Sequence, residues 1–535
     1  MPDQDAQFNH AQPQRRRAAI AAEPPVRDVC VVGGGTAGWM TALLLADSAF
    51  GARLRVTVLE SPSVGIIGVG EGSTPWLKDF FDRLGIAEST WMPACNATYK
   101  SGITFDGWST RPGFERYFHP FSSSLDERVM RAFGEHAHAR LAGVDLHAHP
   151  DRFFVSAAIA RQCRAPLAGP DAPCSVRYGY HFDSTLLGAF LREEALRRGV
   201  THVARHMTRA VQDADGDIRA VELADGGTLA AGFWVDCSGF ASLLATQALK
   251  TPFVPFGENL FNDAAIAVPT PNAGPLMSQT VSTALRHGWA WKIPLTSRDG
   301  NGYVYSSAHC SADEAERELR AHLGLLDADV PARHLKMRVG RLEKTWHRNC
   351  AAVGLAQGFI EPLEATALLF VQRTAERLVA ALEAGDLGAA AQRRFNDAIN
   401  ANFEGARDYI VSHYKTNSRG DTAYWRDNAA NTALSEPLED LLRTWLARRP
   451  LIDGLRSGAF GYGYPPASWY ALLAGMGVFP PAAQLRAPAP HERAHDLAAI
   501  DALVAQSAAA FPDHRDFLAA HAARAAQAVE LAVAP

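Results

Sequence analysis

The run Gly33-Gly34-Gly35-Thr36-Ala37-Gly38 limits what this chain can fold into more than any other stretch. It is a GxGxxG element with both required flanks: Val29 to Val32 reads as a short apolar strand, and Trp39 to Ser48 has helical spacing. A second strand, Leu54 to Leu59, ends at Glu60. Glycines at these positions permit a tight turn and close backbone approach, and the helix N-terminus offers unpaired N–H groups to a pyrophosphate. Glu60 can accept hydrogen bonds from a ribose. The element therefore predicts a dinucleotide site at the start of a parallel α/β sheet. Only one such element is present, so FAD alone is the simplest occupant.

The rest of the chain is compatible with one large fold. At 535 residues and 47% hydrophobic content it can bury a sizeable core. A net charge of −5, from 52 basic and 57 acidic residues, offers no excess for nucleic acid or an anionic membrane. No stretch approaches about 18 uncharged apolar residues, so no membrane span is expected. Seven scattered cysteines, none in a CxxC pair, argue against a disulfide framework and a metal site, and fit a reducing cytoplasm.

Residues 1–25 read as a disordered tail, 26–380 as the nucleotide-binding core with interleaved substrate-side segments, and 381–478 as a helical substrate module. Residues 479–535 read as a Pro/Ala linker and helical tail. Asp183 or Ser184 should cap a helix running to Arg198. Segments 205–211, 218–223 and 228–235 alternate like strands, and 375–414 is helical in pattern. The predicted class is α/β, with a mixed sheet and a mainly helical C-terminal part.

Six further segments narrow the chemistry. Val235-Asp236-Cys237-Ser238-Gly239 and Gly354-Leu355-Ala356 resemble the later flavin-binding stretches of flavin monooxygenases. Gly288-Trp289-Ala290-Trp291-Lys292-Ile293-Pro294 matches the WxWxIP signature of flavin-dependent halogenases. Gly68-Val69-Gly70-Glu71-Gly72-Ser73-Thr74-Pro75, followed by Lys78, is similar to the flavin strap and lysine segment of tryptophan halogenases. Glu361-Pro362-Leu363-Glu364-Ala365-Thr366-Ala367 resembles that family's Pro-Leu-Glu-Ser-Thr-Gly stretch, departing from it at Ala365 and Ala367. Tyr117-Phe118-His119-Pro120-Phe121 is similar to its His-Pro-Phe segment, and the resemblance covers about residues 28–478.

The resemblance to the tryptophan halogenases implies a Rossmann-like FAD core of the flavin monooxygenase type. It implies FAD contacts at Gly33, Gly35, Thr36, Ala37, Gly38, Glu60, Val69, Glu71, Met207 and Leu355. Lys78 would be a buried amine in an apolar tunnel, meeting hypohalous acid made from FADH2, O2 and a halide ion. Glu364 would polarise the electrophile or remove the ring proton. Thr366 and Ala367 would hold the halide, bromide or chloride, and His119, Phe121 and Trp469 would line the aromatic pocket. Trp289 and Trp291 would keep organic substrate away from the flavin. The implied partners are a separate NADH-dependent flavin reductase and a small aromatic such as indole, with the enzyme a monomer or homodimer. Residues 456–477, with Tyr462, Tyr464, Trp469 and Tyr470, lack an acid to clamp a free amino acid's ammonium group, which argues against free tryptophan as substrate. Two rival readings share the nucleotide site: an aromatic monooxygenase, and a flavin-binding protein without catalysis.

Overall fold

The computed structural model describes residues 27–533 other than 66–67, 69, 122, 169–175, 458–463 and 493–494. The predicted tail at 1–25, Val69 and Tyr462 lie outside the described residues.

The Gly-rich turn sits where a parallel sheet begins. Strand Asp28–Val32 pairs in parallel with Arg55–Glu60 on one side and Phe233–Asp236 on the other. Thr201–Ala204 extends the first edge, and Cys350–Ala352 with Trp346–His347 extends the second. Helix Thr36–Ala46 packs on Ser184–Arg197 and Ala367–Ala384. It buries residues all around, which is why the sequence between Trp39 and Leu45 is apolar on every face.

Segment 228–235, expected as one strand, is two. Thr228–Ala230 closes an antiparallel three-stranded sheet with Met207–Gln212 and Ile218–Leu223. After the Ala231-Gly232 corner, Phe233–Asp236 enters the parallel sheet. The long helical stretch is likewise broken, into Ala367–Ala384 and Ala389–Thr416, at Gly385 with φ +67°. Asp183 caps helix Ser184–Arg197 as expected, accepting the Thr185 and Leu186 N–H groups.

A second, seven-stranded sheet carries the substrate-side motifs. Its strand Gly288–Pro294 lies between Asp299–Tyr305 and Thr280–Ala284, and Arg116–Pro120 forms one edge. A small sheet joins Glu71–Gly72, Gly179–Phe182 and Thr98–Lys100. One hydrophobic core takes side chains from Val29 through to Phe511 and so includes the C-terminal helices. Among the described residues no helix is long and apolar enough to cross a membrane.

Candidate active site

The glycine turn has the shape a dinucleotide needs. A Cβ at Gly38 would lie 1.9 Å from the Gly33 carbonyl oxygen, and one at Gly33, where φ is +119°, would lie 2.2 Å from the Cys237 oxygen. A Cβ at Gly35 would meet nothing within 4 Å, which leaves open space over the N-terminus of helix Thr36–Ala46. Glu60 fills the space beside Gly34 and pairs with His202 at 2.9 Å. The second flavin-like stretch folds onto the first: a Cβ at Gly354 would come within 2.7 Å of Ala37, with half-buried Leu355 in the same turn. Met207 is buried under this sheet with Val32 and Leu59. These residues fit FAD. Asp236 has a different task, accepting N–H bonds from Leu244 and Ala245 at 2.8 Å each and so bracing the turn that follows.

The strap residue Glu71 pairs across the small sheet with Phe182. Burial, helped by the Asp183 charge, raises its carboxyl to about 7 against a Ser184 hydrogen bond that lowers it.

Lys78 is not in an apolar tunnel. It lies on helix Trp76–Leu84 with its ammonium on Asp82 at 2.6 Å, an i,i+4 pair exposed to solvent. The helix buries Leu77, Phe80, Phe81 and Leu84, and that spacing turns position 78 outward. The buried amine is Lys100, on strand Thr98–Lys100, with no accessible surface. Its Nζ has no hydrogen-bond partner among the described residues and stands 5.6 Å from the centre of the Phe121 ring. Burial lowers it to about 8, while the Glu364 charge pulls the other way. Sequence reasoning missed it, although a signal existed: Lys100 is the sole charged residue between Glu88 and Asp106, and an isolated lysine in an apolar stretch is seldom there for solubility.

Glu364 is 4% exposed and stands between two buried imidazoles, His119 Nδ1 at 3.2 Å and His413 Nε2 at 3.3 Å. Burial alone would raise its carboxyl, but His119 and His413 outweigh that and hold it at about 2. His119 Nε2 meets the Ser468 hydroxyl at 2.9 Å, and His413 Nδ1 donates to the Tyr409 carbonyl at 3.0 Å. Tyr409 stacks on Tyr464 at 3.6 Å and meets the edge of Trp469 at 4.9 Å, giving the pocket an aromatic wall.

Trp289 and Trp291 share a face of their strand, as residues two apart must, with ring centres 6.2 Å apart. Trp291 lies over Gly302 opposite, where a Cβ would come within 2.0 Å of the indole. Trp289 donates its indole N–H to Glu361 at 3.2 Å. Asn262 donates to the same carboxyl at 2.8 Å, and so does the Tyr414 hydroxyl. Burial raises Glu361 to about 7 against these three donors, each of which lowers it. The indole N–H thus ties the WxWxIP strand to the turn bearing Glu364. Glu361 was not singled out from the sequence.

The departures from the family stretch fall unevenly. Ala367 is the first residue of helix Ala367–Ala384, a conformation any residue adopts, so the lost glycine strains nothing there. Thr366 caps that helix and is buried. Ala365 is the strained one, at φ +54°.

The tryptophan halogenase family model matches residues 28–491. The tryptophan 6-halogenase SttH of Streptomyces toxytricini is 37% identical over 500 residues, covering 87% of this chain and 93% of the relative. The structure of Tar14, a tryptophan C-6 flavin-dependent halogenase from taromycin biosynthesis, superposes with a TM-score of 0.82 at 33% identity, covering 92% of this chain and 99% of its own. That of BrvH, a flavin-dependent halogenase from Brevundimonas sp. BAL3, does so with 0.77 at 32% identity, covering 93% and 99%. With the flavin cradle, the WxWxIP strand and the buried Lys100 and Glu364 within one such fold, the chain belongs to the flavin-dependent tryptophan halogenase family.

Proposed function

We propose that this enzyme halogenates an electron-rich aromatic ring such as indole, with Lys100 rather than Lys78 as the amine that meets the halogenating species. The observation that carries the reading is a buried lysine, without a hydrogen-bond partner among the described residues, that feels the charge of a buried carboxylate held ionised. When bound, reduced FAD supplies with O2 the oxidant that converts halide to hypohalous acid.

The chain's own residues do the rest. Gly33 to Gly38 and Glu60 hold the dinucleotide, with Glu71, Met207 and Leu355 beside it. The backbone of Thr366 and Ala367, at the start of an 18-residue helix, favours an anion there, bromide or chloride. Near pH 8 a large share of Lys100 is neutral and able to take the halogen or hydrogen-bond its acid. Glu364, ionised at any working pH, accepts the proton that the ring loses on substitution. His119, Phe121, Tyr464 and Trp469 hold the ring.

Several relatives are named for acting on tryptophan, and the ring chemistry carries over. Residues 456–477 contain neither Asp nor Glu, so an indole without an ammonium group is the better substrate. FADH2 comes from a separate NADH-dependent reductase, in a reducing cytoplasm suited to free cysteines.

The test is mass spectrometry of indole incubated with the protein, FAD, a flavin reductase, NADH, air and bromide or chloride. The expected product shows the halogen isotope pattern and requires every component. A product heavier by one oxygen and indifferent to halide would refute the reading.

A further inference from the structure

We infer that the C-terminal helix pair, Leu497–Ala509 and His514–Val533, completes the halogenating site, with His514 as the positioning residue that locks the strand carrying Lys100. The inference rests on the reading of Lys100 above. Among the described residues Thr98–Lys100 is an edge strand: it pairs with Gly179–Phe182 on one side and has no strand on the other. Antiparallel pairing points alternate N–H groups outward, so the Tyr99 N–H faces the unpaired edge. There His514, the first residue of helix His514–Val533, substitutes for the missing strand. Its Nε2 accepts the Tyr99 N–H at 3.1 Å, and its Nδ1 donates to the Leu276 carbonyl at 3.2 Å. Two residues on, the Ser278 carbonyl accepts the Ser101 N–H at 2.6 Å. Both peptide neighbours of Lys100 are thereby fixed, one through His514 and one through the 276–278 segment that His514 also grips.

The ring can do this only as the neutral tautomer with its proton on Nδ1. It is fully buried, and burial brings it down to about 4. Phe517, one turn further along the helix, meets Tyr99 edge to face at 5.8 Å. The helix pair is itself well tied down: the His514 N–H reaches the Cys163 carbonyl at 3.0 Å, the Ala165 N–H reaches Pro512 at 2.9 Å, and Arg152 pairs with Asp501 at 2.7 Å. Lys100 needs such support because its own Nζ makes no hydrogen bond among the described residues that would orient it.

The experiment compares native full-length enzyme with His514→Ala and His514→Gln, the second keeping an acceptor within reach of the Tyr99 N–H. The first readout is hydrogen–deuterium exchange of the peptide spanning 98–101 in the FAD-free protein. The second is the titration of Lys100 by ¹³C NMR with ε-labelled lysine, assigned by Lys100→Met. The third is kcat and KM for halogenation of indole. In His514→Ala, exchange at 98–101 should speed up at least tenfold, the Lys100 titration should move up from about 8 as water enters, and kcat should fall at least tenfold with FAD affinity unchanged. His514→Gln should recover most of each. Unchanged exchange and titration in His514→Ala, or equal losses in both variants, would overturn the inference. If the native enzyme halogenates nothing, the proposed function fails, and the exchange and titration still decide whether His514 holds the lysine strand.

Discussion

Replacing Lys100 with Met should abolish product and make the apo-protein more stable. The change keeps an unbranched stem of similar length and removes an amine that is buried without a hydrogen bond among the described residues. Folding lowers that amine from its ordinary 10.5 to about 8, chiefly by desolvation. The folded protein therefore binds fewer protons than the unfolded chain between those values, and stability rises with pH across that window. Below the folded value the penalty is present in full, about 3 kcal/mol at pH 7. For a chain of this size unfolding as one unit, that is about 3 °C in Tm. The gap should narrow to about 1.4 kcal/mol at pH 9.5 and vanish above the unfolded value. Glu364 is not orphaned by the change, because His119 and His413 remain against it. The assay is thermal or urea unfolding of both proteins at pH 7 and 9.5, beside a turnover assay. A Lys100→Met protein that is less stable than native at pH 7, or a gap that ignores pH, would refute the desolvation argument. Retained turnover would remove Lys100 from the chemistry.

Other substitutions probe neighbouring links. Lys78→Ala deletes only an exposed i,i+4 ion pair and should change stability by less than about 0.5 kcal/mol, with turnover and FAD binding as in the native enzyme; lost turnover would return the role to Lys78. Trp289→Phe takes one of three donors from the buried Glu361 and leaves a void, so urea unfolding should register a loss of about 2–4 kcal/mol, whereas native-like stability would mean the N–H bond does not hold the Glu361 turn. Ala365→Gly relieves a left-handed alanine at about 1–2 kcal/mol and restores about 0.5–1 kcal/mol of chain entropy, for a net gain of about 0.5–1 kcal/mol; a destabilised variant would show that the Ala365 methyl packs usefully.

The glycine turn between a strand and a helix, the WxWxIP strand and the family were legible in the linear sequence, because each depends on local requirements that neighbouring residues meet together. Glycines clear a helix N-terminus, tryptophans alternate on a strand, and Glu364 follows a proline turn. The location of the amine was not legible in that way. Lys78 and Lys100 both lie downstream of the strap, and which is buried depends on a helix phase that turns one outward and on a small sheet that encloses the other. Similarly, Asp236 stands where flavin proteins carry a flavin-binding element, yet packing commits it to bracing backbone N–H groups. The union of Glu361 with Trp289, and of His514 with Tyr99, joins residues 72 and 415 positions apart. Sequence alone determined the glycine turn with its flanking strand and helix, and the family to which the chain belongs. The tertiary structure decided which polar groups lose water and which partners they find, because desolvation is set by everything packed around a group and not by its neighbours along the chain.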